Sequence, residues 1–464
     1  MKSTAQIVQA FDSMFNEIKC HELCRQCFFI QRSSSKLQGY EFIKAMIVPS
    51  EGLPTDSLKG LCSRIKKFNS KAILSAQALS LKINNVRSST LMKAVFREII
   101  SQIHQQVIEK CPRLEIGLEG IQSVYIQDSS VIRLNEKLQT VYKGTNRGRC
   151  GPKAQMKIDL IHEIKEGKLV EAKIYQGSKP DQKLSEQILK HIKPGDLVIR
   201  DLGYFVLNIF KAIAELGGYF LSRLNPGVKF FLKREDKEPL DIGKFLIKNH
   251  RNKNVIELTG FLGDEKVPTR LITYRQSEET TAKRIRIAKK HARCSGKTMS
   301  KGKLLSLNFS MFVTNCPREI LSAERIGTIY RLRWEIELIF KRWKSQLQID
   351  YLKGTCKERI DCLIWSRLCT VILIELIKGY VEKIVRKMFT EELSEVKLIG
   401  YLLRNSNLYN AIFNNRLNDF FTELEKDIPK MLLKDKRKRK TIREKVYTKE
   451  SYYEILEVKN ECVA

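Results

Sequence analysis

The sequence predicts a multidomain mixed α/β protein with helical regions at both ends. Three observations carry this. Strand-like and helix-like segments alternate from about residue 116 to 225, a β-rich stretch runs from 226 to 316, and the flanks 1–115 and 351–464 show helical periodicity. With 464 residues, 43% of them hydrophobic, the chain can bury a large core shared among several domains.

Along the first flank, Pro54-Thr55-Asp56-Ser57 supplies capping residues ahead of LKGLCSRIKKF. NSKAILSAQALSLKI follows, then a long helical stretch, SSTLMKAVFREIISQIHQQVIEK, that stops before Pro112. The two short helices around Asn69-Ser70 fit either a helix-turn-helix or a plain bundle. Cys20, His21, Cys24 and Cys27 lie close together, but the cysteines follow the i, i+4, i+7 stripe of a helix. A rigid helix cannot wrap four ligands around one zinc, so buried thiols are expected there, and no disulfides anywhere.

The texture changes near residue 116. IQSVYIQDSSVIRL is β-rich, with Asp128 expected just after the strand SVYIQ. MKIDLIHEI, a turn at Gly167 and LVEAKIYQG read as an antiparallel pair. A helix, DQKLSEQILKHI, leads through Pro194-Gly195 to the apolar strand LVIR, which Asp201 ends. Another helix, FVLNIFKAIAELG, precedes the strand YFLSRL. NVIELTGFL, VPTRLITYR and LLSLNFSMFVTN supply further strands within 226–316. Between Lys283 and Lys303 lie nine Lys or Arg and no acid, Arg284, Arg286, Lys289 and Lys290 among them. Such a run is a solvated mobile loop, or a phosphate track if it lies near a reaction centre. A second basic cluster, KDKRKRKTIREK, stands at 434–445.

The balance of 84 basic against 52 acidic residues, net +32, makes nucleic acid the leading partner. An anionic membrane is the rival. The most apolar run, CTVILIELI, is too short to span one and contains Glu375, and the N-terminal residues lack a signal-peptide core. An intracellular protein without membrane partners is expected.

One window concentrates the chemistry: IYRLRWEIELIFKRWK, residues 329–344. At about 100° per residue, Leu332, Ile336, Ile339 and Trp343 share one apolar stripe. Tyr330, Arg333, Glu337, Lys341 and Lys344 lie roughly opposite, with Arg331, Glu335 and Arg342 on a flank. A solvated face with i, i+4 ion pairs, about 0.2–0.5 kcal/mol each, is the ordinary reading of such a helix, but the leftover positive charge has no partner within it, and the rest of the chain shifts the balance. Phosphodiester chemistry calls for carboxylates held on strands or packed helices, where they can bind Mg²⁺ with positions left open for water and phosphate. Asp128, Asp201 and Glu337 form such a series on strand, strand and helix.

That series resembles the RNase H-like core of DDE transposases. Tyr330, Arg333, Glu337 and Lys344 spell Y-x2-R-x3-E-x6-K, which is similar to the signature of the transposases of insertion sequence family 4. QDSS around Asp128 and RDLGYF around Asp201 resemble that family's first two acidic motifs, and the likeness runs from about 120 to 350. It implies an RNase H-like core, residues 116–225 and 317–350, interrupted by a β-rich insertion at 226–316. It also implies a helical DNA-binding region at 1–115 and a helical C-terminal region. By the same likeness Asp128, Asp201 and Glu337 bind two Mg²⁺, with Mn²⁺ able to substitute, and Tyr330, Arg333 and Lys344 grip DNA backbone. The partners implied are double-stranded DNA, as inverted-repeat ends and target, and a second copy of the chain. The setting implied is the bacterial cytoplasm, at the nucleoid. Family members can stack a tryptophan from the end of the insertion on a flipped base; here Phe309 and Phe312 stand in that region. Two rival readings share these acids: a nuclease that cuts without joining, and a non-catalytic DNA-binding repressor.

Overall fold

The computed structural model describes residues 16–30, 37–48, 57–69, 73–103, 118–145, 153–225, 227–249, 254–296, 298–299, 304, 307–389, 391–405, 407–408, 411, 416–435, 445–446 and 448. Most of the 434–445 cluster, the start of the Pro54 capping sequence and the end of the stretch that stops before Pro112 lie outside them.

The first region folds into helices Glu17–Gln26 (α1), Gly39–Ile47 (α2), Leu58–Phe68 (α3), Ala76–Ile83 (α4) and Val86–Ile103 (α5). Ser57 and Ser75 cap α3 and α4, their side chains accepting from Gly60 N and Ala78 N at 3.1 Å. Cys20 and Cys24 are buried in α1 outside any disulfide, and burial pushes both thiols up to about 12.

The middle builds one sheet. Its strands are Val124–Arg133 (β1), Gln155–Glu163 (β2), Lys168–Gln176 (β3), Leu197–Arg200 (β4), Tyr219–Arg223 (β5), Phe230–Phe231 (β6), Val255–Leu262 (β7), Val267–Arg275 (β8) and Phe309–Thr314 (β9). Among the described residues they form a nine-stranded sheet in the order β3-β2-β1-β4-β5-β9-β8-β7-β6. β1, β4 and β5 run parallel, and the other neighbours are antiparallel. Gly167, at φ +68°, makes the tight turn between β2 and β3. The strands of the 226–316 stretch do not form a sheet of their own: β9 pairs with β5, and β8 and β7 add beyond it.

Three expectations are corrected here. Asp128 does not follow its strand but lies inside β1, because pairing with β2 continues through Arg133. The helix expected at 181–192 is a 3₁₀ segment, Asp181–His191. The 282–303 run is largely helical: Glu278–Cys294 forms a helix (α8), after Leu207–Glu215 (α6) and Ile242–Asn249 (α7). Ser277 caps α8, Glu278 and Glu279 open it, and His291 and Arg293 close it, all matching the helix dipole.

Alternation along β4 divides the core. Leu197 and Ile199 join Val124, Ile126 and the later helices on one face, while Val198 joins Ile161, Ile188, Phe210 and Phe220 on the other. The window at 329–344 is helical in three pieces: Ile326–Tyr330 (α9), a 3₁₀ turn at Arg331–Arg333, and Trp334–Ser345 (α10). Leu332, Ile336, Ile339 and Trp343 are buried as the stripe predicts. Tyr330 is buried too, because the tighter 3₁₀ turn changes its angular phase relative to α10. Lys357–Met388 (α11), Glu395–Arg404 (α12) and Leu417–Asp427 (α13) follow, the last running into a π-helical turn at Ile428–Leu432. Arg342 of α10 pairs with Glu395 of α12 at 2.7 Å, and Lys378 of α11 pairs with Glu375 and Glu395, each at 3.1 Å. No described helix is long and apolar enough to cross a membrane.

Candidate active site

The parallel ladder between β1 and β4 ends at the pair Gln127↔Arg200. The next residue on each strand is an acid, Asp128 and Asp201. Since Ile126 and Ile199 point to the face covered by the later helices, the two acids two positions on emerge on that same face. α10 packs against β1 there and brings Glu337.

Arg333 joins the three. Its Nη1 lies 2.6 Å from Glu337 Oε1 and 4.0 Å from Asp128 Oδ2, and its Nε lies 3.7 Å from Asp201 Oδ1. The Arg333 side chain is only 11% exposed, whereas those of Asp201 and Glu337 are 42% and 51% exposed. The cation is thus enclosed while the acids open to solvent. Tyr330 donates its hydroxyl to Asp201 Oδ1 at 3.4 Å, and its ring lies 5.5 Å from the Arg223 guanidinium and 5.1 Å from Phe312. Burial pushes the Tyr330 phenol up to about 12. Lys344 donates to Val131 O of β1 at 3.0 Å, tying the end of α10 to the strand that carries Asp128. Lys341 faces solvent.

Proximity to cations does not by itself keep Asp128 ionised. Burial pushes its carboxyl up to about 7, assisted by Asp201 and Glu337 and opposed by the Ser129 backbone N–H and Arg333.

The basic positions on α8 divide. Arg286, Lys289 and Lys290 are exposed, whereas Arg284 donates to Phe309 O at 3.2 Å and Ser310 Oγ at 3.0 Å, which commits its guanidinium to β9. Phe309 and Phe312 are core residues of β9, 7% and 1% exposed, so neither offers a ring to a base in this conformation. Trp334, at the start of α10, is the exposed tryptophan.

The sequence reading missed Arg223. It ends the apolar strand β5 beside β4, and a charged residue closing an apolar strand is the same signal that picked out Asp201. It also missed Asp181, which accepts from Ser129 Oγ at 2.8 Å and Lys157 Nζ at 2.7 Å. That acid sits at the start of a helical segment and looks like an ordinary cap.

One acid within β1, one just beyond the parallel β4 and a third on a helix packed against β1 are thus gathered around one arginine. The Transposase DDE domain family matches residues 119–373, more than half of the chain, and the chain belongs to that family. It is 27% identical over 396 residues to the transposase for insertion sequence element IS231F of Bacillus thuringiensis subsp. israelensis, which covers 82% of this chain and 81% of that protein. It is 28% identical over 414 residues to the IS231B transposase of Bacillus thuringiensis subsp. berliner, covering 85% and 84%. It is 25% identical over 413 residues to the IS1151 transposase of Clostridium perfringens, covering 86% and 85%. These are transposases of the family 4 type that the Y-x2-R-x3-E-x6-K signature resembles, and this protein is a transposase enzyme.

Membership implies dependence on a divalent metal. Among the described residues no three acidic, His or Cys side chains stand close enough together to hold a metal ion in this conformation. The donor set nevertheless fits a hard cation. Three carboxylates converge on one positive group, the Arg333 guanidinium, and their oxygens are the ligands Mg²⁺ prefers.

Proposed function

We propose that Asp128, Asp201 and Glu337 are the catalytic acids, and that the protein binds the inverted-repeat ends of its element, hydrolyses them and joins them to target DNA as a dimer. The single observation supporting this is that one guanidinium, Arg333, lies within 4.0 Å of all three carboxylates. Acids from residues so far apart in sequence are gathered without a structural need for so much like charge.

In this reading Asp128, Asp201 and Glu337 hold two Mg²⁺, or Mn²⁺ in their place, which would activate the attacking oxygen and stabilise charge on the leaving one. Arg333 offsets the mutual repulsion of the acids in the DNA-free protein. When DNA binds, its forked donors suit a phosphate oxygen pair at the same place. Tyr330 and Lys344 join it on the backbone once Tyr330 releases Asp201 and Lys344 releases Val131 O. Arg286, Lys289 and Lys290 extend a positive track, because α8 is anchored through Arg284 to Phe309 O, at the start of the strand whose Phe312 pairs with Arg223. The helices α1 to α5 carry recognition of the end sequence. In the first step a water oxygen attacks phosphorus and the bond to the 3′-oxygen breaks, leaving a 3′-hydroxyl and a 5′-phosphate. In the second, that 3′-oxygen attacks a target phosphorus and displaces a target 3′-oxygen, so the number of phosphodiester bonds is conserved and no external energy is needed.

Glu337→Ala and Asp201→Ala, purified and assayed on labelled end DNA with Mg²⁺, should each lose end cleavage by a factor on the order of 10³, the loss of several kcal/mol of charge stabilisation. Wild-type cleavage by either variant would remove these residues from the site. Cleavage by the wild-type protein without joined products would instead leave a nuclease.

A further inference from the structure

The opposite face of the β1–β4 pair carries a polar cluster that the reaction above does not use. We propose that Gln127, Arg200, Asp159 and Tyr204 are positioning residues that fix the spacing and orientation of Asp128 and Asp201. This rests on the reading of those two aspartates as catalytic.

The argument starts from strand periodicity. Gln127 precedes Asp128 and Arg200 precedes Asp201, so each points away from the acid beside it. The two are direct partners in the parallel register, and theirs is the last pair in it. Beyond it β1 continues along β2, but no ladder bond joins the backbones that carry the two acids. Their separation is then governed by what holds the final pair together.

That pair is clamped by side chains. Arg200 Nη2 donates to Gln127 Oε1 at 3.1 Å and to Ser185 O at 2.5 Å, and Nη1 donates to Tyr204 O at 3.3 Å. Gln127 Nε2 donates to Asp159 Oδ2 and to Leu184 O, each at 3.0 Å. Tyr204 donates its hydroxyl to Asp159 Oδ1 at 2.6 Å. Tyr204 stands three residues after Asp201, on the far side of the 3₁₀ turn Leu202–Tyr204. Asp201 is therefore gripped from both sides, through Arg200 before it and Tyr204 after it, and both grips lead to Asp159 on β2, which also pairs with β1. All four residues are buried, Gln127 and Arg200 completely.

A cluster with so many mutually dependent bonds cannot shift one member alone. Apolar side chains would fill the same volume without the desolvation of a guanidinium and a carboxylate. What they would not supply is directional control over two strand ends at the point where the ladder stops. Displacements of about 1 Å at reacting groups cost roughly 10²-fold in rate.

The test uses the full chain and labelled end DNA. Tyr204→Phe deletes one oxygen, and Arg200→Lys keeps the charge but cannot reach the same acceptors in forked geometry. Both are assayed below their melting temperatures. The expected result is about 10–100-fold lower kcat for end cleavage and correspondingly weaker Mn²⁺ binding by the DNA-free protein, read from the spin-resonance signal of free Mn²⁺. KM and affinity for end DNA should stay at wild-type values. Wild-type cleavage and Mn²⁺ binding by Tyr204→Phe would overturn the proposal, as would a loss of end-DNA binding equal to the loss of cleavage, which marks a general defect in the fold. Asp201→Ala run alongside separates the two levels of inference. If it too cleaves normally, the assignment of the acids has failed; if it is inactive while Tyr204→Phe is normal, the positioning role alone has failed.

Discussion

The two faces of the β1–β4 pair put similar groups to opposite uses. Behind the sheet, Arg200 and Asp159 are buried with Gln127 between them, and nearly every donor meets an acceptor. In front, Asp128, Asp201 and Glu337 share a single arginine, and two of the three open to solvent. Burial acts on both faces, pushing Asp159 up to about 6, Asp128 up to about 7 and Arg200 down to about 10. The rear face is resolved by hydrogen bonds. The front face gathers three carboxylates around one guanidinium, so its acids are less fully paired than the buried groups behind.

The largest expected effect breaks the rear face. Asp159→Ala takes the acceptor from the buried Tyr204 hydroxyl and one of two acceptors from the Gln127 amide, at about 1–3 kcal/mol for each bond lost, so the loss of stability should reach roughly 3 kcal/mol. Denaturant unfolding checks this, and a loss under about 1 kcal/mol would mean that water repairs the network.

A second experiment sharpens the front face. The folded carboxyl of Asp128 titrates near 7 against a usual 3.8. A raised value means that stability is complete below pH 3.8 and is lost as pH rises through about 7. The metal-free protein should therefore lose on the order of a few kcal/mol between pH 4 and pH 8 from this group. Asp128→Asn should be the more stable protein at pH 8 and lose that advantage at pH 4. Melting temperatures across this range in the presence of a chelator test it, and an advantage independent of pH would show that Asp128 is already ionised.

The smallest effect lies away from both faces. Lys289→Gln or Lys290→Gln on α8 should weaken DNA binding without a change in melting temperature. Each should lower the slope of log affinity against log salt by about 0.9 if the lysine contacts a phosphate. An unchanged slope would take α8 out of the DNA track.

Much of this was legible in the sequence. The stripe of Leu332, Ile336, Ile339 and Trp343 followed from helical arithmetic, and Asp201 was marked by the apolar strand it closes. Asp128 was harder to place, because SSVIR carries too few apolar residues to announce that β1 goes on; pairing with β2 continues it. Tyr330 was assigned to the polar face, since a helical wheel assumes one angle throughout and a 3₁₀ turn intervenes. Gln127 and Arg200 stand out in the sequence as polar residues in apolar strands, but nothing there shows that they meet, because their partners are far away.

The sequence by itself determined the local periods, the excess of positive charge and the acids worth attention, since each depends only on residue type and near neighbours. Which strands lie side by side, that Arg333 reaches three carboxylates and that Arg200 meets Gln127 were decided only by the tertiary structure. Those contacts join residues far apart in the chain, Asp128 and Arg333 the furthest, and no local spacing encodes a pairing that exists only after the sheet has assembled.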